Sequence, residues 1–515
     1  MDPRGELRQA DALHAARDYP AAVAAYRRAL AGDAALFDAW YGLGCAQLAL
    51  KAFGDAAASL RHAIYLRADA NGARCNLAEA LFQLGEVDAA LAQFRLAAHS
   101  GDAEIRAVAV ASIALIAPGA AACDNAAVLA ARLQWVESLG PAPRVARSAA
   151  PHAKLRVGYV SRFFGARNWM KFVWGVVNRH DRDRFEIHLL SDGDDPSAAS
   201  GYVDHPDDRV WRTKGLSNAA LAAHIAEAGL DVLVDLNGHS DQSRLPLFRH
   251  RPAPLQLTWM NMYATSGVRE FDGVVGDAAV IPPAEERFYA ERVVRVPDSY
   301  LAFEVLYKVP DVAPPPCLIA GRFTFGCLAS AYKLDDPVIA AYARILGGAP
   351  ASRLVFRNRA LDEDSNRAAL LELFARHGVA AERLVLEGGA EHFDFLRTYD
   401  QIDVALDTFP YNGGTTTAEA LWQGVPVLSF NGDRWASRTS RSLLLAAGLD
   451  ECVAADRAGF EASAIALATA SDTPQRLAAL RAGLRKRVRA SAACDVAGLC
   501  RALEALYRAV PATTA

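Results

Sequence analysis

The stretch DVALDTFPYNGGTTTAEALWQGVPVLSF, residues 403–430, decides the fold class of this chain of 515 residues. It opens with a short apolar run, Asp403–Asp407, which is typical of a strand, and a tight glycine-containing loop follows. A helix is predicted from Thr415, and a second apolar run comes after it at Val425–Phe430. Apolar runs that alternate with helices are typical of parallel strands covered on both faces. The stretch therefore predicts an α/β fold.

The loop and helix start inside this stretch, Tyr411–Pro426, predict a phosphate site. Glycines let the backbone approach a ligand closely, and threonines at a helix start cap it and offer hydroxyls. The free N–H groups and the positive end of the helix dipole favour an anion. A capped helix start without a ligand is the alternative, but three consecutive threonines after Gly413 and Gly414 favour the anion site.

Two further side chains are predicted to serve the same ligand. Lys333 follows the first strand of a second strand–helix series and can neutralise the charge that builds on a departing diphosphate. Glu419 lies one helical turn beyond Thr415, where its carboxylate can accept hydrogen bonds from ribose hydroxyls. The alternatives are an ordinary surface lysine and a solvated helix glutamate.

The same alternation of strand and helix extends through most of the chain. Apolar runs occur at 155–160, 185–190, 232–235, 274–275 and 293–296, and again at 323–326, 354–356, 384–386, 404–406 and 425–430. The proline-rich segment Asp311–Pro316 separates the two series as a stiff connection. They predict two doubly wound parallel-sheet lobes in tandem, residues 154–310 and 317–515, with the ligand between them at the carboxyl ends of the strands.

The first hundred residues repeat with a period of 34. Small and bulky side chains recur in matching positions: Ala12, Ala46 and Ala80; Tyr19, Phe53 and Val87; Ala22, Ala56 and Ala90; Tyr26, Leu60 and Phe94; Ala29, Ala63 and Ala97. This pattern resembles the tetratricopeptide repeat, and it predicts an all-α domain of about three repeats over residues 1–118. A helical linker is predicted over 119–153. The repeats either hold an extended polypeptide or cap the next domain, or they join two copies of the chain.

Composition and charge exclude several classes of protein. The net charge of −4 gives no electrostatic basis for binding nucleic acid or an anionic membrane. No apolar run is long enough to span a membrane, and the charged start MDPRGELRQADALH is unlike a signal peptide. The eight cysteines are scattered, with no CxxC pair, which predicts neither disulfides nor a zinc site. We expect a cytoplasmic protein.

The order of the motifs resembles that of the protein O-linked N-acetylglucosamine transferases and their SPINDLY-like relatives. The matching motifs are RVGYVS (156–161), DLNGHS (235–240), RPAPLQLTW (251–259), AYKL (331–334), ALDTFPYNGGTTTAEALWQGVPV (405–427) and ASR (436–438). The resemblance covers nearly the whole chain. It implies a GT-B enzyme without metal that inverts the anomeric centre. It also implies that the sugar moves from a nucleotide diphosphate, such as UDP-N-acetylglucosamine, to serine or threonine of a protein.

The resemblance also implies roles for individual residues of the second lobe. It assigns the diphosphate to Gly414, Thr415 and Thr416, and it makes Lys333 the phosphate lysine. Glu419 stands where the family has an aspartate on the ribose. Two further donor contacts are implied at Ser330, near the phosphates, and at His392, beside the uridine.

The first lobe departs from the family at the acceptor and sugar end. His239 follows a predicted strand and is a candidate to orient or deprotonate the acceptor hydroxyl, and a hydrogen-bonding loop histidine is the alternative. Arg167 stands where the family usually has a histidine. Asn261 and Tyr263 replace a glycine and a proline of the family's sugar pocket, so the pocket is expected to be narrower or differently polar.

These departures leave three functions open: transfer to serine or threonine, transfer of a hexose to asparagine, and a scaffold that binds a nucleotide sugar without turnover. The acidic sequence Asp192-Gly193-Asp194 resembles a metal-binding Asp-x-Asp, but a turn after a strand is the better interpretation. No metal is expected, because a helix dipole and Lys333 can take its place. A homo-oligomer is a further expectation.

Overall fold

The computed structural model describes residues 2–147, 152–240 and 243–509. Residues 148–151 of the predicted linker lie outside the described residues. The chain forms two compact units, each built from three segments. The first unit contains Met1–Ala122, Pro314–Tyr411 and Arg457–Ala478, and the second contains Cys123–Ala313, Asn412–Asp456 and Ala479–Ala515.

The N-terminal part of the first unit is helical and repeats as predicted. Its helices are α1 (Pro3–Ala15), α2 (Tyr19–Gly32), α3 (Phe37–Ala49), α4 (Phe53–Leu66), α5 (Asn71–Gln83), α6 (Val87–Ala97) and α7 (Ala103–Ile116). The first six pack as three consecutive pairs. Within each pair, one residue in the left-handed region makes the turn: Arg17 (φ 60°), Lys51 (φ 63°) and Gly85 (φ 87°). These turns recur every 34 residues, the period read from the sequence.

The alanine positions show why the period exists. Ala22, Ala56 and Ala90 are fully buried, and so are Ala29, Ala63 and Ala97. Small side chains there allow the helices to approach one another, and the bulky slot between them is filled by Tyr26, Leu60 and Phe94, all buried. Ala12, by contrast, is exposed, unlike its counterparts Ala46 and Ala80.

A substitution of Leu60 tests this packing. A Cβ on Gly44 would lie 2.6 Å from the Leu60 Cγ, so this leucine fills the space left by the glycine of the neighbouring helix. Leu60→Ala is expected to lower the free energy of unfolding by about 2–5 kcal/mol, because it leaves a cavity in a core that cannot fully collapse. Chemical denaturation measures the loss. Tyr65→Ala is the control, because the Tyr65 side chain is 83% exposed and should change stability little.

The second unit begins with helix α8 (Asn125–Ser138) and continues into a parallel sheet. The strands are β1 (Leu155–Ser161), β2 (Phe185–Ser191), β3 (Arg209–Arg212), β4 (Val232–Asp235), β5 (Leu255–Thr258), β6 (Gly273–Gly276) and β7 (Val293–Arg295). Their order is β3-β2-β1-β4-β5-β6-β7, and every pair is parallel. The helices along it are α9 (Arg167–Met170), α10 (Trp174–Val177), α11 (Asn218–Ala228) and α12 (Leu245–Phe248).

The remaining elements belong to the second series. The strands are β8 (Thr324–Cys327), β9 (Arg353–Arg357), β10 (Leu384–Glu387), β11 (Val404–Leu406), β12 (Val427–Phe430) and β13 (Val453–Ala454). The helices are α13 (Pro316–Ala320), α14 (Asp336–Gly348), α15 (Asp364–Arg376), α16 (His392–Arg397), α17 (Thr415–Trp422), α18 (Thr439–Ala446), α19 (Arg457–Thr469), α20 (Thr473–Arg489) and α21 (Val496–Arg508). In the first unit the parallel order is β10-β9-β8-β11, and in the second β12 pairs in parallel with β13.

The predicted fold class, two parallel-sheet α/β lobes after an all-helical repeat region, is confirmed. Strands β3, β5 and β13 were not predicted. β3 lies at the sheet edge and is largely exposed, so its sequence, Arg-Val-Trp-Arg, lacks the apolar run of a covered strand. In the part of the chain that the structure describes, no helix combines the length and the apolar character needed to cross a membrane.

Candidate functional site

Lys333 lies just beyond the carboxyl end of β8 in the first unit, in a short 3-10 turn, Ala331–Lys333. Its ammonium nitrogen lies 4.1 Å from the ring centroid of Tyr411, which follows β11. Ser330 begins the same turn and is exposed, and His392 is the first residue of α16, after β10. The predicted residues of this unit therefore all follow carboxyl ends of one parallel sheet, the edge where such sheets bind ligands.

The charge of Lys333 is adjusted by its surroundings. Burial lowers the pKa of Lys333 to about 8, and the Asp407 carboxylate and the Cys327 thiol partly oppose that shift. The side chain is only partly exposed and burial shifts its pKa, which distinguishes it from an ordinary surface lysine. A lysine in a protected position next to an aromatic face is suited to receive a negatively charged group.

The helical repeats touch this turn within the first unit. The Phe82 ring, in α5, stacks on Tyr332 with 5.1 Å between ring centroids. A Cβ on Gly85 would lie 2.5 Å from the carbonyl oxygen of Leu334. The third helix pair therefore packs directly on the backbone that carries Lys333, a contact that the sequence did not predict.

In the second unit, the predicted phosphate residues form the start of α17. Gly414 is the residue before the helix, and Thr415 and Thr416 are partly exposed at its first two positions. A Cβ on Gly414 would meet only the Thr439 side chain, at 3.6 Å, so the backbone here is open on its other sides. The Ser440 hydroxyl donates a hydrogen bond to the Gly413 carbonyl of the preceding loop at 3.0 Å. The helix start is therefore accessible, and the backbone N–H groups of a helix start are suited to an anion.

Glu419 is not a solvated glutamate; that alternative is wrong. Its side chain is almost fully buried in the second unit, where the Lys171 ammonium donates to its Oε1. Tyr307 hydrogen-bonds to the same carboxylate. Burial, and to a smaller extent the negative charge of Glu419, raises the pKa of the Tyr307 phenol. Lys171 and Tyr307 were not predicted. The available signal was a single lysine within the apolar run Trp169–Trp174.

His239 lies in the loop that follows β4, as predicted, in a closely packed environment. Its Nε2 faces the Ser266 carbonyl oxygen at 2.8 Å, and its ring packs edge-on against Trp135 of α8 at 4.7 Å. Burial, and next the Arg132 guanidinium, lower the pKa of His239 well below its ordinary value. A carbonyl only accepts, so Nε2 carries the hydrogen and the neutral ring keeps its lone pair on Nδ1.

The two residues that replace the family's glycine and proline have unusual backbones. Asn261 and Tyr263 lie in the left-handed region, at φ 58° and 56°. Asparagine tolerates this conformation better than tyrosine does, so the surrounding contacts must hold Tyr263 in place. The Asn261 amide donates to the Leu236 carbonyl at 3.0 Å, and Gly238 packs on the Asn261 carbonyl. The loop after β5 is therefore tied to the loop that carries His239.

Helix α8 supplies an additional anchor for this loop. Arg132, fully buried, donates through Nη1 to the carbonyl oxygens of Met262 and Thr265. The sequence predicted α8 only as part of a linker, since a helix facing a site has no distinctive local pattern.

The acidic sequence after β2 forms a turn, as the sequence favoured. Asp192 receives two hydrogen bonds from Arg244, at 2.9 and 2.5 Å, so its carboxylate is committed to an ion pair. Arg167, in place of the family's histidine, donates from Nε to the Ala199 carbonyl at 2.8 Å. Arg167, Lys171 and Tyr307 also line a recess in the second unit.

Comparison with known proteins places these features in a family. The sequence profile of glycosyl transferase family 41 matches residues 134–310 and 320–503. A tomato (Solanum lycopersicum) protein, "Probable UDP-N-acetylglucosamine--peptide N-acetylglucosaminyltransferase SPINDLY", is 32% identical over 371 residues, which are 70% of this chain and 39% of that protein. The Arabidopsis thaliana protein of the same name is 30% identical over 363 residues, 70% of this chain and 39% of its own length. The chain thus spans about two fifths of the length of these relatives.

One solved structure is similar along almost the entire chain. It is a lysine-to-methionine mutant of the O-GlcNAc transferase of Thermobaculum terrenum, with a TM-score of 0.82 and 31% identity. The similarity covers 98% of this chain and 97% of that one. The profile match and the shared fold agree with the motifs and the site geometry, and this chain belongs to glycosyltransferase family 41.

Proposed function

We propose that this chain is a protein glycosyltransferase that moves a sugar from a nucleoside diphosphate to a serine or threonine hydroxyl. The observation that carries the proposal is the start of α17, where Gly414, Thr415 and Thr416 form an accessible helix end. Such an end binds phosphate through backbone N–H groups and the helix dipole. The names of the relatives specify UDP-N-acetylglucosamine and a peptide, so we propose that nucleotide sugar, or one carrying a related hexose, as the donor.

The proposed reaction is a single in-line displacement that inverts the anomeric carbon. The acceptor oxygen forms a bond to that carbon, and its hydroxyl proton passes to the Nδ1 lone pair of His239, as the bond between the carbon and the phosphate oxygen breaks. The leaving diphosphate gains negative charge, which Lys333 and the α17 helix end stabilise. These two sources of positive charge perform the task that a metal ion performs in other transferases. We propose that His239 orients the acceptor through the lone pair on Nδ1 and that Ser330 and His392 contact the nucleotide.

Asn261 and Tyr263 are proposed to shape the sugar pocket, and the helical repeats to bind the acceptor polypeptide. The test is incubation of the protein with a panel of labelled UDP-sugars and a cell lysate, followed by mass mapping of the labelled residue. Label on serine or threonine supports the proposal. Label on asparagine identifies the asparagine transferase instead, and donor binding without protein-bound label identifies a scaffold.

The pH dependence of transfer offers a separate prediction. The Lys333 ammonium is lost as the pH rises through its pKa of about 8, so kcat/KM is expected to fall above that pH. Lys333→Arg keeps its charge throughout this range. The alkaline limb of the profile should therefore move to higher pH in Lys333→Arg, even if its overall rate is lower. An identical alkaline limb in both proteins would assign the titration to another group.

A further inference from the structure

A histidine, a cysteine and a glutamate that the proposed reaction does not use meet inside the second unit. His180 follows α10, and Cys500 and Glu504 lie one turn apart on α21, so these two share one face of that helix. All three residues are buried. His180 Nδ1 lies 3.0 Å from Glu504 Oε1 and 3.6 Å from the Cys500 sulfur, and the sulfur lies 3.7 Å from Oε1. Nitrogen, sulfur and oxygen ligands for a metal therefore converge on one buried point.

The spacing of the three atoms suits a tetrahedral zinc ion. Zinc binds imidazole, thiolate and carboxylate at about 2.0–2.3 Å, which places neighbouring ligand atoms about 3.4–3.6 Å apart. The two separations that involve the Cys500 sulfur, 3.6 and 3.7 Å, match this spacing. Only the contact of 3.0 Å between His180 and Glu504 must lengthen. Calcium and magnesium take oxygen ligands, so a sulfur and a nitrogen in the set favour zinc.

The surrounding hydrogen bonds orient the ligands as they do in metal sites. His180 Nε2 lies 2.7 Å from the Tyr159 hydroxyl, which lies 2.9 Å from the Tyr507 hydroxyl. The backbone N–H of Asp181 donates to Glu504 Oε1 at 3.0 Å. A metal-bound histidine is usually hydrogen-bonded through its second nitrogen, and ligating carboxylates are hydrogen-bonded in turn. Burial also lowers the pKa of His180, which favours the neutral ring that a metal requires.

We propose that His180, Cys500 and Glu504 form a zinc site that joins α21 to the segment after α10. On binding, the Cys500 thiol loses its proton to solvent, and the imidazole proton occupies Nε2, where it donates to the Tyr159 oxygen. The thiolate and the carboxylate then balance the two charges of Zn²⁺. A water molecule or the Val176 carbonyl, whose oxygen lies 3.6 Å from the Cys500 sulfur, would complete the four ligands. The Glu504 side chain keeps 10% exposure, which provides a path for entry.

The sequence carried no signal for this site. Its cysteines form no CxxC pair, and His180 and Cys500 are separated by 320 residues. A cysteine and a glutamate four residues apart on a helix are unremarkable until the fold brings the histidine to them. The zinc site is independent of the proposed sugar transfer, so its test does not depend on that activity.

The test measures the binding of zinc to the metal-free protein by calorimetry, with metal analysis after gel filtration. The unmodified protein is expected to bind one zinc ion per chain. Cys500→Ser and Glu504→Gln, which each remove a ligand, should weaken the affinity by about 100-fold or more, and Tyr159→Phe, which removes only the partner of His180, by about tenfold. Cys494→Ser is the matched control, because Cys494 is a partly buried cysteine just before α21, and it should leave the affinity unchanged.

A cobalt spectrum of the unmodified protein makes the test independent of whether the variants fold. Co²⁺ accepts the same ligands, and a thiolate ligand gives it a charge-transfer absorption band in the near ultraviolet. Cobalt should produce that band in the unmodified protein and in Cys494→Ser. Absence of the band from the unmodified protein would overturn the inference. So would a zinc affinity in folded Cys500→Ser equal to that of the unmodified protein, because the zinc would then be bound elsewhere.

Discussion

Lys333→Ala is expected to lower kcat by about two to three orders of magnitude, the usual effect of removing one group that stabilises transition-state charge. The ammonium lies next to Tyr411 in a partly protected position, and nothing in alanine can replace its charge. The effect should fall mainly on kcat, because the negative charge on the diphosphate grows as the sugar leaves. Initial rates at saturating donor, together with the affinity for UDP, measure it.

Lys486→Ala is a suitable control, since this lysine is exposed and belongs to α20, in the other unit. Its kinetics should match those of the unmodified protein. Unchanged transfer by Lys333→Ala, with unchanged donor affinity, would remove Lys333 from the proposed mechanism. The fold of the variant is checked by its thermal unfolding.

A large loss of stability is also expected for Arg132→Leu. Its guanidinium donates to the Met262 and Thr265 carbonyls in a fully buried position. Loss of the guanidinium leaves these two buried carbonyl oxygens without that hydrogen-bond donor. Each buried group left unsatisfied costs about 1–3 kcal/mol. We therefore expect the free energy of unfolding to fall by roughly 2–5 kcal/mol. A lower urea midpoint with an unchanged m-value would show this loss of stability.

A second measurement connects Arg132 to the site. Because the Arg132 charge helps to lower the pKa of His239, its removal should raise that pKa, which NMR titration of the histidine reports. Gln134→Leu is the control on the same helix, since Gln134 is exposed two residues away. A stable Arg132→Leu variant with an unshifted His239 would contradict both parts of this prediction.

The features that could be predicted from the sequence are those with a local pattern. The repeats are visible because the same packing recurs every 34 residues, and most strands because a covered strand is a continuous apolar run. The helix start at Gly414 could be predicted because glycines that permit a tight loop are followed at once by threonines that favour the first turn of a helix. The positions of Lys333 and His239 after their strands were predicted for the same reason.

The contacts that surround the site depend on distant parts of the chain. Lys171 and Glu419 are separated by 248 residues, and Arg132 and Thr265 by 133. No local pattern connects such residues, so the sequence indicated Glu419 without the lysine that holds it. Strand β3 was missed for a different reason. It lies exposed at the edge of the sheet, so its side chains do not need to be apolar.

The repeat turns at Arg17, Lys51 and Gly85 share a backbone conformation but differ in the range of residues that they tolerate. Any residue that tolerates a left-handed backbone can occupy the first two. At the third, the Leu334 carbonyl occupies the place where a side chain would begin, so only glycine fits. A designer who copied the first or second repeat into the third position would therefore introduce a clash at residue 85, beside the turn that carries Lys333. In this chain the helix pairs are equivalent in architecture and not interchangeable in sequence.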